Sequence, residues 1–486
     1  MDRGEAEAIY DSGREACVQF MLDLAGRVRE FEDRLRRLED QARRDSRTSS
    51  RPPSQDPPKT RAQRRAEARA KAKELMRREG EGRKAGGQSG HRGAGRELRP
   101  EDQVDEIVDH YPHACGGCGR AFTETERRAR RRFGRHQFVE LPPISATWVE
   151  HRTHQVRCRA CRARTSARLP EELGSSAFGP RLQAAIVTLT ARYRISRQGI
   201  TELARDLFGV ALSTGAVDAI CQRASDALAG PHLHLQDWVL DQDAVHVDET
   251  GWRTHGDARA LWTATTPQAA FLQIAEHCNR EQFDALIGTS YPGIVISDRW
   301  NGFSHLDPTR RQVCWSHLQR DFRRHADGLG EQKPFGEQGL ELTGRVFAVW
   351  HSFQHEHHDR QQLQAEIAPV QTDLHALLEA ASPKQARNRW HRRFANNLLK
   401  VWPALWTFTM IDGVEPTNNP AERALRAPVI HRKVTLGTQS QTGERFAERA
   451  LTAAGTCRLQ RRSLFTYLSE LIAAHNRGDP FPALAA

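Results

Sequence analysis

Residues 244 to 317 alternate short apolar runs with polar breaks, and this block restricts the possible folds more than any other part of the chain. AVHVDET, ALWTATT and AAFLQIAE follow one another with short turns and read as three successive strands. A short helix is expected around Arg280 to Ile287, then GIVISDR as a fourth strand and RRQVCWSH as a fifth. A helical stretch starts at Leu318–Ala326 and continues with breaks to about Met410, and another helix begins near Asn419. The order is β-β-β-α-β-α-β, an α/β arrangement.

Three carboxylates fall at informative places on these elements. Asp248 lies in the middle of the first strand, and Asp298 ends the fourth, 50 residues later. Glu422 opens a helix 124 residues beyond Asp298. This is the ribonuclease H-like layout, in which the first and fourth strands are neighbours and the later helix comes alongside. Three acids converging there suit two Mg(II) or Mn(II) ions about 4 Å apart. The plainer alternative is ordinary surface acids in a chain with 61 Asp and Glu. Glu249 follows Asp248 on the strand and is expected on the opposite face. Thr417 or Asn418 is placed to cap the Glu422 helix. Arg423 and Arg426 share that helix and suit either DNA phosphates or surface ion pairs. Arg432 and Lys433, which follow, suit phosphates. His317, just after the fifth strand, is either a phosphate contact or a core histidine.

Cys115-Gly-Gly-Cys118 and Cys158-Arg-Ala-Cys161 are separated by 39 residues. Two CxxC turns supply the four thiolates of a tetrahedral structural zinc, and this pattern points to metal rather than disulfides. The long spacing suggests a zinc ribbon with an inserted β-hairpin. Arg127, Arg128, Arg131 and Arg132 fall in the insertion and suit DNA binding.

Further upstream, Met21, Leu24, Val28, Phe31, Leu35 and Leu38 alternate at spacings of three and four, as in a coiled-coil seam or one amphipathic helix. SRTSSRPPSQDPP is a flexible linker, and residues 59–84 then carry 11 Lys/Arg against 4 Glu. Gln198–Gly209 and Thr214–Ala227 have helix-turn-helix proportions. The formal net charge of +11 favours a polyanionic partner. No run approaches the roughly 18 apolar residues of a membrane span, and the first residues lack an apolar signal core, so a cytoplasmic protein is expected.

The sequence resembles transposases of the bacterial insertion sequence 66 family, a branch of the DDE group. The resemblance rests on His246-Val-Asp-Glu-Thr-Gly-Trp252, Ile296-Ser-Asp-Arg299, Cys314-Trp-Ser-His-Leu-Gln-Arg-Asp-Phe322 and Thr417-Asn-Asn-Pro-Ala-Glu-Arg-Ala-Leu-Arg426. Ser50-Arg-Pro-Pro-Ser54, Gly86-Gly-Gln-Ser-Gly-His91, the double CxxC and Leu464-Phe-Thr-Tyr-Leu468 extend it over nearly the whole chain. Where the family often has a Tyr-rich segment after the second aspartate, Trp300 and Phe303 keep the aromatic character. The resemblance implies Asp248, Asp298 and Glu422 as a catalytic triad with a helical insertion between the last two. It also implies double-stranded DNA as substrate, both element ends bearing inverted repeats and target DNA.

The expected organisation is an N-terminal helix (1–45), a basic linker (46–103), a zinc-binding domain (104–170) and a helical DNA-binding region (171–235). A ribonuclease H-like core (236–445, insertion about 327–412) and a C-terminal helical segment (446–486) follow. A homo-oligomer is expected, with companion proteins of the same element as possible partners and no membrane. The competing functions are a zinc-dependent DNA-binding repressor with an inactive core and a structure-selective nuclease.

Overall fold

The computed structural model describes residues 4, 10–43, 65, 97–128, 134–170, 173, 176–355, 359–383 and 389–485. The chain forms two units, Pro57–Ser145 and the combination of Met1–Asp56 with Ala146–Ala486. Among the described residues no helix is long and apolar enough to cross a membrane.

α1 is Arg14–Arg43, and its Met21, Leu24, Val28 and Phe31 are all exposed. The side chains of Leu35 and Leu38 lie outside the described residues, as does most of the linker. α2, Glu124–Arg128, is fixed at its start by Glu126, which accepts from Thr123 N–H at 2.8 Å and pairs with Arg120. In the larger unit β1, Gln155–Arg157, pairs antiparallel with β2, Arg164–Ser166. The hairpin therefore frames the second cysteine pair. Among the described residues the stretch between the pairs holds α2 instead of the expected inserted hairpin.

Next come α3 (Pro180–Ala191), α4 (Arg197–Phe208), α5 (Thr214–Ala227) and α6 (Ala229–Leu240). Ser196 and Ser213 cap α4 and α5 by accepting the N–H of Gly199 and Ala216, and Gly209 closes α4 at φ +65°. These features give the helix-turn-helix spacing its physical basis.

The sheet comprises β3 (Ala244–Thr254), β4 (Asp257–Thr265), β5 (Ala270–Ala275), β6 (Ile294–Ser297) and β7 (Arg311–Val313), with α7 (Arg280–Ile287) between β5 and β6. Its order is β5-β4-β3-β6-β7. β3, β4 and β5 form an antiparallel meander, whereas β6 and β7 run parallel to β3. The first and fourth strands are neighbours, as the sequence reading expects.

Alternation sends the two faces to different cores. Val245, Val247, Trp262 and Phe271 join residues of α3, α5, α6 and α7 on one face. Behind the sheet's other face lie α8 (Trp315–Ala326), α9 (Gln332–His355), α10 (Arg360–Ala381), α11 (Arg389–Lys400) and α12 (Thr407–Met410). Ile294, Ile296 and Val313 pack into their core. Gly339 lets α9 approach α8 closely, since a Cβ there would fall 2.0 Å from the Phe322 ring. α13 (Asn419–Thr435) and α14 (Gln441–Leu459) cover Trp252, Leu261 and Leu272 through Leu425 and Leu451. α15 (Leu464–Arg477) returns to the first face. The helices of region 171–235 and the segment 446–486 are thus built into the same core as the sheet.

The edge strand β5 is closed in an unusual way. Its free-edge N–H groups at Ala270, Leu272 and Ile274 donate to Thr456 Oγ1, Thr452 Oγ1 and Glu448 Oε2 of α14, at 3.1, 3.0 and 3.0 Å. Four helical residues rise about 6.0 Å and two strand residues about 6.8 Å, so the two repeats nearly match. Helix side chains therefore satisfy what a further strand would. Thr452→Val keeps the shape but leaves the buried Leu272 N–H without its acceptor. Its unfolding free energy in urea should fall by about 1–3 kcal/mol, and an unchanged midpoint would show that the contact carries no stability.

Candidate active site

The parallel register pairs His246 with Ile296. Two residues further along each strand, Asp248 and Asp298 come level at the same end of the sheet. Glu422 lies in the first turn of α13. Burial pushes the Asp248 carboxyl well above its ordinary range, and the charges of Glu249, Asp298 and Glu422 add to the shift. The three acids of the sequence reading therefore share one electrostatic field. Each is also held locally. Asp248 Oδ1 accepts the Glu249 N–H at 3.0 Å, and Asp298 Oδ1 accepts the Trp300 N–H at 2.8 Å.

Two residues that the sequence reading passed over or misassigned hold these acids in place. Asn418 precedes α13 but makes no side-chain cap. Its Nδ2 instead donates to Val247 O at 2.8 Å, its Oδ1 meets His246 Nδ1 at 3.2 Å, and its N–H reaches Cys314 Sγ at 3.1 Å. The expected capping role is thus replaced by a clamp between β3, the start of α8 and the Glu422 helix. His246 is buried beside it, and burial lowers its pKa to about 4, so it is neutral. The second residue is Arg311, only 3% exposed. Its guanidinium donates to Ser297 Oγ, Asp298 O and Phe303 O at 3.2, 2.6 and 3.1 Å, fixing the loop that carries Asp298. Its position at the start of the fifth strand, next to Arg310, carries no local signal of this role.

Glu422 faces cations. Arg320 Nη2 lies 3.4 Å from its Oε1 and 3.5 Å from its Oε2, and His317 Nε2 lies 3.7 Å from Oε1. Arg320 Nη1 approaches His317 Nε2 at 3.2 Å. Arginine only donates, so that nitrogen accepts and the ring proton sits on Nδ1, which is buried without a partner. Burial lowers the His317 pKa, keeping the ring neutral. Among the described residues no three His, Cys, Asp or Glu side chains are gathered closely enough to hold a metal ion. The donor chemistry nonetheless suits a hard divalent cation, because Asp248, Asp298 and Glu422 offer only carboxylate oxygens.

The remaining candidates are spread more widely. Arg423 and Arg426 are exposed on α13, and the Arg423 charge reaches His246. Arg432 Nη1 lies 3.5 Å from Thr250 Oγ1, two residues beyond Asp248, and Lys433 is exposed. Arg127 is half-buried, Arg128 ends α2, and Arg131 and Arg132 lie outside the described residues.

The cysteine turns repeat one local geometry. Cys115 N–H donates to Arg120 O and Gly119 N–H to Cys115 O, at 2.8 and 2.9 Å. Cys158 N–H and Arg162 N–H do the same with Ala163 O and Cys158 O, at 2.8 and 2.9 Å. Gly119 and Arg162 take the same left-handed backbone, φ +75° and +59°. Backbone N–H groups of Cys118 and Gly117 lower the Cys115 thiol pKa, and those of Cys161 and Ala160 lower that of Cys158. Both turns thus favour thiolates. The first pair belongs to the smaller unit and the second to the larger.

Glu249 corrects another expectation. It points away from Asp248 but is not remote from the acids. Burial and the Asp298 charge push its pKa to about 7, a Cys278 hydrogen bond opposes this, and Oε2 is buried without a partner. The folded state therefore holds the Glu249 proton more tightly than the unfolded chain, and stability falls as pH rises from the unfolded value toward about 7. Glu249→Gln should stabilise the chelator-treated protein more at pH 8 than at pH 5, by roughly 2 kcal/mol. Equal effects in urea melts at both pH values would contradict this.

Comparison with known proteins places these residues in context. The family described as Transposase IS66 family matches residues 175–445, which include all three acids, Arg311, Arg320 and Asn418. A family of unknown function, DUF6444, matches residues 3–97. An uncharacterized protein of Sinorhizobium fredii, y4hP, is 24% identical over 419 residues, covering 77% of this chain and 73% of that protein. With more than half of its length matched, including the sheet and the acids on it, the chain belongs to the IS66 family of transposases.

Proposed function

We propose that the chain cuts and joins DNA at the ends of an insertion sequence. The observation that carries this reading is the placement of Asp248 and Asp298 at the same end of neighbouring parallel strands, with Glu422 in the first turn of α13 and near enough to act on Asp248. Asp248, Asp298 and Glu422 would hold Mg(II) or Mn(II). Such ions, when bound, supply Lewis-acid stabilisation of charge at a phosphodiester.

The chain's own residues arrange the rest. Arg311 and Asn418 keep the strand ends and the Glu422 helix in register, which limits the motion of the acids around a phosphate. Arg423, Arg426, Arg432 and Lys433 are placed to bind DNA phosphates and fix the strand. His317 Nε2 accepts from Arg320 Nη1 and so orients that guanidinium beside Glu422. In the first reaction water attacks the phosphorus at an element end, and the P–O3′ bond breaks to leave a 3′-hydroxyl. In the second that hydroxyl attacks a target phosphorus and displaces the target 3′-oxygen. The inverted repeats would be read by the basic and helical regions upstream.

Asp248→Asn, Asp298→Asn and Glu422→Gln should each lower cleavage and strand transfer by on the order of a thousandfold or more, while DNA binding persists. Glu470→Gln, at an exposed position on α15, serves as the unaffected control. Cleavage of end-containing DNA by Asp298→Asn at the wild-type rate would overturn the assignment. Binding without cleavage by the wild type would favour a repressor, and cleavage without joining a nuclease.

Cys115, Cys118, Cys158 and Cys161 are the proposed ligands of structural zinc, a tetrahedral thiolate set. Metal analysis should find zinc in the purified protein, and chelation should unfold the cysteine-bearing turns. Zinc-free protein whose thiols titrate freely in the native state would remove this assignment.

A further inference from the structure

We infer that Arg320 is a built-in competitor for the divalent cation: it occupies Glu422 in the metal-free chain and is released to a DNA phosphate when metal binds. This rests on the metal-binding reading of the three acids given above.

The geometry points this way for three reasons. First, Arg320 Nη2 lies 3.4 and 3.5 Å from the two oxygens of Glu422, and so takes up the charge that a metal would need. Second, the neighbouring acid on its own helix is already engaged. Asp321 accepts from Arg299 Nε at 3.0 Å, leaving Glu422 as the carboxylate paired with Arg320. Third, Arg320 and Glu422 side chains are each 31% exposed, so the pair opens to solvent where a polyanion can reach it. His317 receives the other Arg320 nitrogen at 3.2 Å, which orients the guanidinium.

Metal and phosphate would then each take one partner of the same ion pair. Linkage makes the consequence quantitative: whatever frees Glu422 strengthens metal binding, and whatever frees Arg320 strengthens DNA binding, by the same factor. A partly exposed pair limits that factor to roughly two- to fivefold. A purely structural Arg320 would give no such coupling.

The test uses the full-length protein, Mn(II) detected by electron paramagnetic resonance, and a short DNA duplex of arbitrary sequence at fixed salt. Wild type should bind Mn(II) roughly two- to fivefold more tightly when DNA is present. Arg320→Gln should bind Mn(II) more tightly than wild type without DNA, by about the same factor, and DNA should add little further. Thermal melts check that the variant is folded. If it is not, Arg320→Lys, which keeps the charge without the two-pronged contact, should give an intermediate Mn(II) affinity. Unchanged or weaker Mn(II) binding in the folded variants, or a DNA effect that survives Arg320→Gln, would overturn the inference. Asp248→Asn separates the two ideas. If it binds Mn(II) as well as wild type, the metal reading itself fails. If its binding is weakened while Arg320→Gln matches wild type, only the competitor role fails.

Discussion

The buried amide of Asn418 is the contact on which the site's geometry depends. Fully enclosed, it joins the backbone beside Asp248, the ring of His246 and the sulfur that begins α8. The far end of the same helix is also stitched to β3. Thr438 N–H donates to Arg253 O at 2.9 Å, and Trp252 Nε1 donates to Thr438 Oγ1 at 3.2 Å. Gly437 permits this approach, because a Cβ there would lie 2.1 Å from Arg253 O. The helix bearing Glu422 is therefore fixed at both ends to the strand bearing Asp248. A long insertion between Asp298 and Glu422 can vary without disturbing their spacing, since its own core is anchored separately on Ile294, Ile296 and Val313.

The strands were readable from the sequence because alternation and turn residues are local signals. AVHVDET falls in a strand and ALWTATT and GIVISDR centre on strands, although β6 ends at Ser297, one residue before Asp298, and β3 continues to Thr254 where Trp252 and Thr254 are buried against the end of the helix. The Ser196 and Ser213 caps are local as well. What escaped notice is tertiary. Asn418 stands where a cap is common, and only the presence of His246 and Val247 nearby diverts its side chain. Arg311 looks like any cation in a basic chain until the loop carbonyls around it are known. Strand parity placed Glu249 on the far face, yet a charge acts through a low-dielectric interior without regard to which face it occupies. The cysteine spacing suggests an inserted hairpin, whereas the described backbone between the pairs has a short helix, Glu124–Arg128.

Charge balance in the site follows from this geometry. Burial and the charges of Glu249, Asp298 and Glu422 raise the proton affinity of Asp248, while Arg320 stands at Glu422 and Arg311 behind Asp298. Arg311 itself is penalised by burial, which lowers its pKa to about 10, but three oxygen acceptors keep it charged in place. The site thus has two different cations beside its acids: Arg311, enclosed and fixed, and Arg320, partly open to solvent.

The closure of β5 by α14 has a consequence for how the protein is made. Leu272 and the Thr452 that satisfies it are 180 residues apart. At typical translation speeds the strand leaves the ribosome roughly 10–40 s before its partner helix exists. Throughout that interval the meander has an open, apolar edge of the kind that recruits other strands. The sheet becomes safe only after the C-terminal segment has been synthesised. A chain lacking α14 would leave the β5 N–H groups of Ala270, Leu272 and Ile274 without these acceptors.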